Sequence, residues 1–99
     1  MDIDFREVCQ NLYDGIHITD GNGRVLFVNK AYERTTGIHS EDIIGRTVAE
    51  IESEGKLYKG SVTDRVLKEK KRINSVATVY KVNKEVLLTG TPIFDEEGN

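Results

Sequence analysis

The tetrapeptide Asp20-Gly21-Asn22-Gly23 constrains this chain more than any other segment. Glycine and asparagine tolerate the positive φ angles that tight turns demand, so these four residues between two apolar segments read as a β-hairpin turn. Before it, Asp14 to Asp20 alternates Ile16 and Ile18 with His17 and Thr19; after it, Arg24 to Val28 is a compact apolar run. Two antiparallel strands are expected there.

Helical signals lie on both sides of that hairpin. Phe5, Val8, Cys9 and Leu12 recur at helical spacing, which predicts a short amphipathic helix ahead of the first strand. Asn29 is placed to cap a helix over Lys30 to Thr36, and Gly37 to end it. Two short starts follow, Ser40 before Glu41-Asp42 and Thr47 with Glu50 three residues on, separated by Gly45. Ser61 with Asp64 opens a longer helix to about Lys71, with Val62, Val66 and Leu67 as its apolar stripe and Lys68 to Arg72 at its electronegative end. Beyond it the period changes. Ile73 to Val82 and Glu85 to Phe94 are rich in β-branched residues and are separated by a turn at Asn83, a second hairpin. Strands grouped at both ends with helices between them indicate an α+β domain with an antiparallel sheet covered on one face.

Composition limits function. A chain of 99 residues builds one modest core, so residues 1–99 read as a single domain, with 1–12 a flanking helix and 13–99 the body. The net charge of −3 offers no field to gather nucleic acid, and the apolar runs are too short to span a membrane. Cys9 is the only cysteine, which rules out an intrachain disulfide. Neither His17 nor His39 has a sequence-evident nucleophile or metal-ligand partner, and Asp20-Gly21-Asn22-Gly23 joins strands where a phosphate-cradling loop would open a helix. The expectation is a non-catalytic domain, and a start at Met1-Asp2-Ile3-Asp4 without a basic, apolar leader points to the cytoplasm.

Taken in order, Asp14 to Asp20, Gly23 to Tyr32, Thr36-Gly37-Ile38, Glu41 to Arg46 and Pro92 to Asn99 resemble the successive blocks of a PAS domain. Asn29 to Arg34 together with Leu88 to Asp95 resemble most the PAS domains at the front of sigma-54-dependent transcriptional activators; similar domains also precede histidine kinases and diguanylate cyclases. The resemblance implies a sheet with strand order 2-1-5-4-3 and short helices on one face. It also implies that Asp95 to Asn99 form a turn into a last strand that this chain does not contain, leaving the edges of Asp14 to Asp20 and Glu85 to Phe94 unpaired.

By the same resemblance, the pocket lies between the sheet and the helices, with His17, Thr19, Phe27, Tyr32, Val66 and Leu88 as candidate ligand contacts and Val25 and Val86 also facing inward. Strand alternation alone equally permits Ile16 and Ile18 to face the core and His17 the surface, and the sequence leaves both assignments open. Flavin photosensors of the family carry a reactive cysteine where this chain has Val48, and haem-binding members use a histidine on the helix before the third strand, where Ser61 to Lys71 has none. Neither cofactor is expected, and the ligand is an unidentified small molecule. Homodimerisation through the N-terminal helix and outer sheet face would use Phe5, Val8, Leu12, Ile16 and Ile18. An interaction module without ligand is the competing reading.

Overall fold

The computed structural model describes residues 4–80 and 82–94. Its elements run α1 (Phe5–Gln10), β1 (His17–Thr19), β2 (Val25–Val28), α2 (Lys30–Thr36), α3 (Ser40–Ile43), α4 (Val48–Glu54), β3 (Tyr58–Lys59), α5 (Thr63–Glu69), β4 (Ile73–Val79) and β5 (Lys84–Gly90). The α+β architecture expected from the sequence is the one observed. β1 pairs antiparallel with β2, and β3, β4 and β5 form a second antiparallel sheet in that order. No ladder joins β1 to β5 among the described residues. The terminal turn expected over Asp95 to Asn99 lies outside the described residues, as does the strand expected to follow it.

Local chemistry explains most of these elements. The Asp20 carboxylate accepts from the amides of Asn22 at 2.9 Å and Arg24 at 3.0 Å, and Gly23 takes the left-handed conformation with φ 79°, so the turn between β1 and β2 closes on its own side chain. Thr47 caps α4 by accepting from the Glu50 amide at 3.2 Å. α3 differs from expectation. His39, not Ser40, is its N-cap residue and makes no side-chain capping bond; the Ser40 amide donates to Glu33 Oε2 at 2.9 Å, so a tertiary contact replaces a local cap.

α5 begins at Thr63 behind Val62, with Ser61 accepting from the Thr63 amide, and ends where Lys70 turns left-handed at φ 56°. Both strands of the second hairpin are shorter than their apolar runs. β4 stops at Val79 because Asn83 donates to the Tyr80 carbonyl and turns the chain at φ 51°. β5 stops at Gly90, just before Pro92, which has no amide to give a ladder. β3 was not foreseen. Two residues are too few to show a period, and the strand exists because Tyr58 and Lys59 pair with Val79 and Thr78 of β4.

The core sits between β2, β4 and the short helices. Val25, Val28, Ile38, Ile43, Val48, Ile51, Tyr58 and Val79 form its main cluster. The far edge of β2 is covered by the α3–α4 connection: the Val25 amide donates to the Arg46 carbonyl, the Gly45 amide to the Val25 carbonyl and the Val48 amide to the Gly23 carbonyl, each at 2.8 Å. That contact satisfies the backbone groups which an edge strand would otherwise expose. A smaller cluster of Val62, Val66 and Ile73, with Leu88 against it, joins α5 to the second sheet.

One residue ties the N-terminal elements together. Asn29 is wholly buried, and its side chain uses its full set of partners. Its Oδ1 accepts from the amides of Ile16 at 2.8 Å and Tyr32 at 2.9 Å; its Nδ2 donates to the carbonyls of Cys9 at 2.8 Å and Asp14 at 2.9 Å. The residue read from sequence as a helix cap therefore also anchors α1 and the approach to β1.

Candidate functional site

Between β1 and β5 lies a cleft of about 650 Å³, with residues of α2 and α5 among its walls. The register of the first hairpin decides what β1 presents to it. His17 pairs with Val28 and Thr19 with Val25, and both valines are buried, so His17 and Thr19 share the inner face. Ile18 pairs with Phe27 on the other face. The ladder shifts between Ile18 and Thr19, leaving exposed Leu26 as an extra residue in β2.

That bulge corrects one expectation. Simple alternation from Val25 would turn Phe27 inward, but the extra residue reverses the phase. Val25 and Val28 take the core face, while Phe27 is half-buried and does not line the cleft. Of the remaining candidates, His17, Thr19, Tyr32, Val66 and Leu88 all line it.

Three hydrogen-bonding side chains converge inside. The rings of His17 and Tyr32 lie 5.5 Å apart at 40°, a tilted aromatic contact that orients both. Tyr32 is placed by the Asn29 cap on its own amide and by Thr36, whose hydroxyl donates to the Tyr32 carbonyl at 2.8 Å. Tyr58 comes from β3 and is only 6% exposed, and its hydroxyl is closed to solvent with no hydrogen-bond partner among the described residues. Sequence reasoning missed Tyr58, since a tyrosine in a two-residue strand carries no pattern that separates it from a loop residue.

Burial governs the ionisation of all three. It lowers His17 below 6.5, partly offset by a backbone hydrogen bond, and raises the Tyr32 phenol to about 12. Tyr58 is pushed up further, first by burial and then by Tyr32 and by the carboxylate of Glu52. At neutral pH the interior therefore presents neutral imidazole and neutral phenols. Val62, Val66 and Leu88 form an apolar wall to the same cleft.

The candidate interface residues are distributed differently. Phe5, Val8 and Leu12 are exposed, whereas Ile16 and Ile18 are half-buried. On the second sheet, Val76 pairs with Leu87 and both are exposed, giving it an apolar outer face. Among the described residues no group of three His, Cys, Asp or Glu side chains is placed to hold a metal ion, and no helix is long and apolar enough to cross a membrane.

Antiparallel strands, short capped helices and a cleft between them define a small α+β domain. The family model described as the PAS fold matches residues 3–99, and the chain belongs to that family, whose domains are sensory and signalling modules. No curated protein matches the chain.

Proposed function

We propose that this PAS domain is the ligand-sensing input module of a larger, bacterial-type signalling protein. A small molecule occupies the cleft, the domain works as a homodimer, and the signal passes to a covalently attached output domain, a sigma-54-type transcriptional activator. The observation that carries the reading is the His17–Tyr32 ring pair, which lines the cleft together with the apolar side chains of Val62, Val66 and Leu88. A largely apolar cleft with a few convergent polar groups is the usual form of a small-molecule site. The sigma-54 output rests on the resemblance of Asn29 to Arg34 and Leu88 to Asp95; a histidine kinase or diguanylate cyclase is the alternative output.

The role is binding, without catalysis and without direct contact to nucleic acid, in the cytoplasm. His17 packs against Tyr32, and Cys9 is on the buried face of α1 with its carbonyl taken by Asn29. A second reading, dimerisation without ligand, draws on exposed Phe5, Val8 and Leu12. It calls for a filled interior and an apolar outer face.

The test is to denature natively purified protein and identify released molecules by mass spectrometry. A small molecule released in near-stoichiometric amount is expected. Its absence, together with no stabilisation by any member of a metabolite library, would leave dimerisation as the function.

A further inference from the structure

The turn that orders the first hairpin also contains a chemically labile peptide link. Asn22 alone among the asparagines precedes a glycine; Asn11, Asn29, Asn74 and Asn83 precede Leu12, Lys30, Ser75 and Lys84, whose side chains crowd the next peptide nitrogen. Glycine has no Cβ, so the Gly23 nitrogen can reach the carboxamide carbon of Asn22 whenever the link is free to rotate. Asn22 is exposed, which gives water access to its side chain.

The closed turn blocks that reaction on both sides of the link. The Gly23 amide donates to the Asp20 carbonyl at 3.1 Å and so keeps its proton, while the Gly23 carbonyl accepts from the Val48 amide at 2.8 Å. The Asp20 carboxylate holds the Asn22 amide at 2.9 Å and the Arg24 amide at 3.0 Å. Gly23 itself is buried. Rotation into an attacking geometry has to break these bonds together, which makes the reaction a property of the opened turn.

We propose that Asn22–Gly23 is a self-modification site that records opening of the hairpin. In the opened turn the Gly23 nitrogen gives its proton to hydroxide, bonds to Asn22 Cγ and expels the side-chain nitrogen, which leaves as ammonia after taking a proton from water. The resulting cyclic imide is opened by water at one carbonyl to aspartate and at the other to a β-linked aspartate, so the net change consumes one amide and water and releases ammonia. The β-linked product carries an extra backbone carbon between Asn22 and Gly23 and a new carboxylate near Asp20. The Gly23 carbonyl then no longer meets the Val48 amide, and β1 loses the turn that sets its pairing with β2. The change is irreversible under these conditions and needs no second protein.

The purified chain, incubated at mildly alkaline pH with and without denaturing urea and peptide-mapped by mass spectrometry over days, tests this. In urea, Asn22 should show the mass gain of an amide turned to an acid before any other asparagine does. In the folded chain the same site should react at least about tenfold more slowly, a ratio that reports how rarely the turn opens. Asp20→Ala removes the carboxylate that holds the turn, and should recover most of that factor in the folded chain while leaving the rate in urea unchanged. Another asparagine reacting first in urea, equal rates at Asn22 with and without urea, or a folded-state rate unaffected by Asp20→Ala would each overturn the assignment. Should Asp20→Ala not fold, the unaltered chain decides alone, and a ratio below about tenfold would count against the turn as the lock.

Discussion

Replacing Asn29 with alanine removes four hydrogen bonds from a position closed to water: to the Ile16 and Tyr32 amides and from its own amide to the Cys9 and Asp14 carbonyls. Loss of the helix cap costs about 1 kcal/mol. Orphaning the Ile16 amide and the Cys9 carbonyl adds roughly 1 kcal/mol each, at the low end for buried polar groups, so the expected total is about 3 kcal/mol. Against a stability of roughly 5–10 kcal/mol for a domain of this size, that is a large fraction. It should lower the melting temperature by roughly 15 °C. Urea denaturation followed by far-ultraviolet circular dichroism measures it directly. Asn29→Asp adds a second arm: it keeps both accepted bonds but turns an anionic oxygen toward two carbonyls. Its folded-state pKa is then raised, so its deficit relative to the unaltered protein is greatest at neutral pH and narrows as the pH falls toward the carboxylate range. A loss under about 1 kcal/mol for Asn29→Ala, or an Asn29→Asp deficit that does not vary with pH, would refute the role assigned to this side chain.

Gly90→Ala should destabilise by roughly 1–2 kcal/mol, because the new methyl would stand 2.6 Å from Val66 Cγ2 and 2.7 Å from Val62 Cγ2, atoms on stiff β-branched side chains that α5 must move to relieve; unchanged urea stability would contradict this close approach. His17 has its folded pKa depressed below 6.5 by burial, so the stability it contributes is complete above that pH and is lost as the pH falls below it. His17→Leu should flatten that limb of the stability–pH curve, and a limb unchanged by the substitution would count against the burial of this imidazole. The purified domain should show no flavin or haem absorption, and a stoichiometric visible chromophore would sink that expectation. Light scattering should find a dimer that Phe5→Glu with Val8→Glu dissociates; a monomeric unaltered chain at high concentration would remove the basis for this interface.

What the sequence by itself determined is what depends on neighbours along the chain. Asp20 to Gly23 carry the carboxylate and the glycine that close their own turn, Asn29 caps the helix that starts beside it, and Thr47 caps α4, so residue type alone selects each conformation. The same locality made His17 ambiguous, because alternation fixes which residues share a face but not which face is buried. Tertiary structure resolved that through the buried partners Val25 and Val28, and it placed the bulge at Leu26 that turned Phe27 away from the cleft. It also created β3, a strand only by virtue of β4, and with it placed Tyr58 among the residues that line the cleft. Capping and turn formation are decided within a few residues, whereas strand register, burial and the loss of water around a phenol depend on atoms distant in sequence, and the candidate site is made of these.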